Sequence, residues 1–352
     1  MRLVPRVVLG AAVLGSLLML AVAFAPGAST RFRAAQGALI DLVVATVPAP
    51  IMPIAAGGAE VFLRPWLYLV MLICFLAERY FPARAEQRFF SVGFVQDLFG
   101  WFLVNSFLRV ALIGAFAAGL DALFQTRLSF LRLVPTGFWP PAGGFVLGLL
   151  VADFLKWLHH WVRHKVPLFW VFHAVHHSQR EMNMFTDLRV HLVEYLIALP
   201  IVATPLFMLG LTDVTVIWVL ILMEAYSRIY HANIRADFGV LRYVLVTPQS
   251  HRIHHSADPR HHDKNFAVVF SFWDRLMGTQ WHDHTEYPDT GIRDLAFPTE
   301  ESTKPVGIMR DYFRQLVYPF RAIWNASRGG GWEIEGPDTR RAPSDRTSAP
   351  SA

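Results

Sequence analysis

Residues 158–178 read LHHWVRHKVPLFWVFHAVHHS, and residues 247–256 read TPQSHRIHHS. His160 and His164 are spaced i, i+4, which on a helix puts both rings on one face, a turn apart. His173, His176 and His177 are spaced i, i+3, i+4, a single face if the segment is helical, and His251, His254 and His255 repeat that triplet. Thr247-Pro248 just before the last triplet is a helix start, with Thr as N-cap and Pro at the first helical position. Two windows, 159–177 and 251–262, hold 11 of the 15 histidines, far above an even spread, so the pattern predicts histidine-bearing helices built for one purpose.

The rest of the chain explains where these helices sit. Of 352 residues 54% are hydrophobic and only 17% charged, against roughly 25% charged in an ordinary soluble domain. Mean hydropathy is +0.35. That composition leans towards the bilayer and excludes a disordered chain. The net charge of +5 suits loops facing an anionic cytoplasmic leaflet, and no basic stripe with interleaved aromatics supports a nucleic-acid partner. A single cysteine, Cys74, excludes a disulfide framework and any cysteine-based zinc or iron–sulfur site.

Residues 7–25 are apolar without a charge and predict a transmembrane helix, with a cleaved signal peptide ending near Ala21-Val22-Ala23 as the alternative. Residues 36–57 carry Asp41, Pro48, Pro50 and Pro53 and read as a broken or re-entrant segment. Further spanning candidates are 61–77, 97–123 and 141–158, then a helical hairpin, 195–209 and 214–230, joined by Gly210-Leu211-Thr212-Asp213. Asn105 and Arg109 should face protein or the interface. By the positive-inside rule Arg79, Arg84 and Arg88, then Arg163 to Arg189, then Arg228 to Arg252 are cytoplasmic. An inside N-terminus then requires that 36–57 does not fully span. The expected division is 1–89 membrane segments, 90–300 the histidine-bearing domain, 301–328 an amphipathic interfacial segment and 329–352 a disordered tail.

Neutral imidazole is a good ligand for iron, copper, nickel or zinc. The eight histidines of the three groups exceed what one tetrahedral or octahedral ion uses, so two metals are expected. His191 and His231 bracket the hairpin; because it goes out and comes back, ten histidines (His160, His164, His173, His176, His177, His191, His231, His251, His254 and His255) can converge on one cytoplasmic face. His159, His261 and His262 fall off the shared faces and read as neighbours rather than ligands. His282 and His284 read as solvated surface groups. Asp153, seven residues before His160, lies on its face and could orient the ring; Glu194 and Asp274 are similar candidates.

These residues resemble the fatty acid hydroxylase / sterol desaturase superfamily of membrane di-iron enzymes. The likeness runs from Asp153-Phe154-Leu155 and His160-x3-His164 through Phe172-His173-Ala174-Val175-His176-His177. It continues in Arg189-Val190-His191, His231-Ala232-Asn233, Pro248-x2-His251-Arg252-Ile253-His254-His255 and Phe272-Trp273-Asp274-Arg275-Leu276, and covers about residues 90–300. It implies an all-α fold, a multi-pass transmembrane bundle under a cytosolic helical cap. It also implies two iron ions, O2 as co-substrate, a membrane lipid entering from the bilayer, and hydroxylation of an unactivated C–H bond, with desaturation the alternative. Some members carry a histidine at the position of Ser227, so one ion here lacks a ligand that water, His191 or an acidic residue must supply. No haem-binding domain, flavin motif or Rossmann glycine pattern is visible, so a separate electron-donor protein is expected. A zinc hydrolase is disfavoured by the absence of H-E-x-x-H. A metal transporter or store is disfavoured because the histidines cluster at helix ends.

Overall fold

The computed structural model describes residues 65–88, 90–101, 108–293, 297–298, 302–330 and 332, with a few isolated positions before 65. The expected span at 7–25, nearly all of the broken segment 36–57 and all of the tail after 332 lie outside the described residues. Among the described residues the chain is all-helical, with no strand, only three isolated bridges such as Leu245 with Phe270.

Ten α-helices follow in order: α1 Pro65–Tyr80, α2 Val92–Phe99, α3 Val110–Leu123, α4 Pro141–Lys165, α5 Pro167–His177, α6 Leu192–Met208, α7 Asp213–His231, α8 Pro248–His254, α9 Phe272–Leu276 and α10 Pro305–Asn325. The segment 97–123 is thus divided between α2 and α3, with 102–107 outside the described residues. The helix expected at 141–158 runs on to Lys165, because nothing breaks it before Val166-Pro167, where proline at the first position of α5 starts the next helix. The hairpin appears as α6 and α7. Gly210 between them sits at φ +68°, where a Cβ would lie 2.5 Å from the Pro135 carbonyl oxygen, so only glycine fits the turn.

The central core is α4 against α6 and α7: Ala152, Val202, Leu206, Val219 and Met223 are buried together. Gly148 lets α4 approach closely, since a Cβ there would stand 2.9 Å from Leu211 and 3.3 Å from Val219. By length and composition one described helix, α4, can cross a membrane; α6 is apolar but shorter. The shortfall against the expected multi-pass pattern has a physical cause in α7, which carries Asp213, Glu224 and Arg228 among its 19 residues. Around that core, Val214, Ile217, Trp218 and Leu222 of α7, Leu69 and Ile73 of α1, and Leu112 and Phe116 of α3 stay exposed.

Helix α10 is amphipathic, but its inward face carries polar residues beside Ile308, Tyr312 and Tyr318, and its outer face is mostly apolar, with Arg310 and Arg321 exposed there. Asp311 and Gln315 are buried while Val306, Phe313, Phe320 and Trp324 are exposed. The cause is Arg189, fully buried, which donates to Asp97 at 2.5 Å, to the Ser178 hydroxyl at 3.1 Å and to Gln315 at 3.3 Å. One guanidinium therefore ties α2, the end of α5 and α10 together. Removing one member of a buried pair of this kind costs about 3–5 kcal/mol.

Candidate metal centre

Nine histidines from four helices, counting His255 at the C-cap of α8, meet in two groups, the donor atoms of each within 4.8 Å of one another: His160, His164, His173, His177 and His254 in the first, and His176, His231, His251 and His255 in the second. All nine are buried. Helix α4 supplies two rings to the first group from adjacent turns. Helices α5 and α8 each serve both groups, because a triplet at i, i+3, i+4 fans its rings over a wide enough arc to reach two points. The last turn of α7 adds His231. Helix α8 is short, and its start is secured by a capping box in which Thr247 and Ser250 satisfy each other's backbone N–H groups.

Backbone carbonyls fix which ring nitrogen faces inward. Nδ1 of His160 donates to the Phe266 carbonyl at 2.8 Å, that of His254 to the Lys264 carbonyl at 2.8 Å, and that of His231 to the Ser227 carbonyl at 2.8 Å. Nδ1 of His173 donates to Glu194 at 2.8 Å, and Glu194 is held in turn by Arg163. With Nδ1 protonated, Nε2 of each of these rings carries a lone pair and points to the centre of its group.

There the Nε2 atoms crowd together. His160 and His173 stand 3.0 Å apart, His173 and His177 3.2 Å, His231 and His251 2.8 Å, His251 and His255 3.1 Å. Nε2 of His164 and of His254 are buried with no partner. Converging lone pairs without a proton between them repel, and a cation at each centre would resolve both the repulsion and the unpartnered nitrogens. Burial, more than any neighbour, pushes His173, His176, His177, His251 and His255 well below the ordinary imidazole range and takes His254 down to about 3. Neutral imidazole is the ligating form, so the residues fit two nitrogen-rich metal sites.

His191 departs from the expectation of a direct ligand. It caps α6, its Nδ1 accepting from the Val193 N–H at 3.2 Å and its Nε2 donating to the Leu316 carbonyl at 3.0 Å, so both nitrogens are occupied outside the two groups. Asp153 does not touch His160 either. Its carboxylate accepts from the Val269 and Phe270 N–H groups, each at 2.8 Å, and so pins the loop after α8 to α4. Asp274 has the role assigned to Asp153, indirectly. It accepts from Trp157 at 2.9 Å, Phe266 N–H at 2.8 Å and Ala267 N–H at 2.9 Å, and so places the Phe266 carbonyl that orients His160. Glu194 does contact a histidine of the centre, His173 rather than His191. His159 and His261 lie outside both groups; His261 bonds the Ser256 hydroxyl at 2.8 Å. Sequence reading missed Asp187 and Arg163; Arg163 sits one residue before His164, and only the fold brings it to Glu194.

A cavity of about 250 Å³ opens beside the centre, lined by His176, His231 and His251 of the four-histidine group and by His160 and His173 of the other. Ser227 lies on its wall and donates to Asp187.

Comparison with known proteins agrees with the geometry. A fatty acid hydroxylase family profile matches residues 145–279. The chain is 28% identical over 233 residues to the ornithine lipid hydroxylase OlsE of Rhizobium tropici, covering 65% of this chain and 64% of that protein. It is 29% identical over 199 residues to the alkylglycerol monooxygenase of Danio rerio, covering 56% and 40%, and 28% identical over 141 residues to that of Homo sapiens, covering 40% and 31%. The chain thus spans less than two thirds of the length of these curated relatives. No solved structure matches. Both histidine groups lie inside the segment that matches the fatty acid hydroxylase family, and that segment is what makes the chain similar to the lipid hydroxylases and monooxygenases named here.

Proposed function

We propose that this protein is an integral-membrane oxygenase that hydroxylates an unactivated C–H bond of a lipid, using O2 and two iron ions. The observation that carries the reading is the pair of buried, nitrogen-only histidine groups beside one cavity. Acid–base groups cannot attack such a bond at neutral pH, and a redox metal with neutral nitrogen ligands suits the task. His160, His164, His173, His177 and His254 would hold one ion, and His176, His231, His251 and His255 the other. Iron held there supplies the reduction of O2 and the cleavage of the C–H bond. Glu194 and the carbonyls of Phe266, Lys264 and Ser227 keep the rings aimed, and the buried setting excludes bulk water. The four-histidine group contributes three of its rings to the cavity wall, so the position left open by Ser227 is available to water or substrate rather than to His191.

The exposed apolar rows on α1, α3 and α7 and the exposed apolar residues of α10 support a multi-pass protein, and the arginines flanking the histidine helices favour a metal centre and C-terminus on the cytoplasmic side. Electrons come from a separate donor protein. The hydroxylases and monooxygenases among the relatives favour hydroxylation over desaturation.

The test is purified protein, loaded with iron and supplied with reductant, O2 and membrane lipid. Incorporation of one atom of 18O from 18O2 into a lipid, lost in His176→Ala while that variant remains inserted and folded, is the expected outcome. A double bond in the product without oxygen, or near-normal turnover in His176→Ala, would overturn the reading.

A further inference from the structure

The charges around the cavity are unequally satisfied. Arg109 donates to Glu224 at 3.0 Å and lies over the Tyr195 ring, and Arg163 is held by Glu194. Two groups on the same wall keep hydrogen-bonding positions to spare. Lys156 of α4 lines the cavity, drawn electrostatically towards Glu224, Asp187 and Asp153 but with no hydrogen bond or ion pair to any of them. Asp187 accepts from Ser227 through Oδ1, but its Oδ2 is buried without a partner, in a side chain only 10% exposed. Its Oδ1 is 3.8 Å from Nδ1 of His231. The remaining wall includes Ile113, Leu199, Val202, Leu220 and Met223. A carboxylate oxygen buried without a donor is costly unless a ligand completes it, and the Lys156 ammonium on the same cavity wall has N–H groups to help hold that ligand.

We propose that Lys156 and Asp187 together read the polar head of the substrate. The head is that of an amino-acid lipid, whose carboxylate meets the Lys156 ammonium and whose ammonium meets Asp187 Oδ2. This rests on the lipid hydroxylase reading and narrows its substrate class. A zwitterionic head can bond both groups at once. A neutral glycerol ether satisfies neither charge, and a simple anionic lipid only one. At about 250 Å³ the cavity is smaller than the roughly 300–1,000 Å³ of a drug-sized site, enough for a head and the first methylenes, with the acyl part leaving along the apolar wall. The proximity of Asp187 to His231 sets that head beside the four-histidine group.

The test is equilibrium binding to the full-length, iron-loaded protein in nanodiscs without O2, with an ornithine-headed lipid, a phosphatidylglycerol and an alkylglycerol of matched chains as probes. The ornithine-headed lipid should bind tightest. Lys156→Met should weaken it and the phosphatidylglycerol about tenfold or more, as loss of a buried charge partner does, and leave the alkylglycerol within about twofold. Asp187→Asn should weaken the ornithine-headed lipid alone. Lys156→Gln keeps the length and loses the charge, and must repeat the Lys156→Met result, so misfolding of one variant does not decide the matter. Equal binding of the three probes, or unchanged binding in both Lys156 variants, overturns the assignment. If lipid is still oxygenated in that case, the hydroxylase reading stands without it. If head-group discrimination depends on Lys156 but no lipid is ever oxygenated, the assignment stands and the hydroxylase reading falls.

Discussion

Glu194 and His191 stand three residues apart at the start of α6 and do opposite things. Glu194 fixes the tautomer of His173 through a 2.8 Å bond, so Glu194→Gln should lower iron affinity about 10–100-fold, as removal of such supporting partners does; competition with a chelator of known affinity measures it. His191 only caps the helix and spans to α10. His191→Ala should therefore keep two irons per chain by elemental analysis while costing about 1 kcal/mol of stability. Eight of the nine clustered histidines were legible in the sequence through helical spacing and His231 through the hairpin that returns it to the same side, whereas His191, expected with them, stands apart. The supports of the nine were not legible, because the acceptors at Phe266, Lys264 and Ser227 are backbone carbonyls, which every residue offers. Asp153 illustrates the same limit: it shares a helical face with His160, yet the N–H groups it binds lie 116 and 117 residues along the chain.

At the scale of elements, hydropathy located α1, α6 and α7, ended α4 early and ran α2 and α3 together. The final turns of α4 carry His160, Arg163 and His164, polar residues that belong to the helix because the metal centre, not lipid, surrounds them. The contact between α4 and α7 was invisible for another reason, since a glycine in an apolar run does not announce what crosses it. Gly148→Leu should force Leu211 and Val219 apart and cost about 1–3 kcal/mol, whereas Gly114→Ala on α3, where a Cβ meets nothing within 4 Å, should leave stability unchanged or raise it by about 0.5–1 kcal/mol. Thermal midpoints of the two variants in the same detergent provide the comparison.

For the whole molecule, the histidine cluster couples stability to protons when no metal is bound. The unfolded chain's imidazoles titrate near 6.5, while burial holds His173, His176, His177, His251, His254 and His255 below that in the fold. Between the two values the unfolded chain binds more protons, so stability falls as pH drops below about 6.5, each group contributing at most about 1.4 kcal/mol per pH unit. Iron-stripped protein should thus show a lower urea midpoint at pH 5.5 than at pH 7.5, and an unchanged midpoint would contradict the buried, neutral cluster.

Helices α5 and α8 each lend rings to both groups, His173 and His177 beside His176 in one, His254 between His251 and His255 in the other. Neither ion can be seated without freezing the scaffold that receives its neighbour, so the entropy of ordering is spent mostly on the first arrival. Titrating stripped protein with ferrous ion should therefore give a sigmoidal uptake curve with scarcely any singly occupied species by native mass spectrometry, and a cell short of iron would hold this protein as a mixture of full and empty molecules rather than a population of half-filled ones.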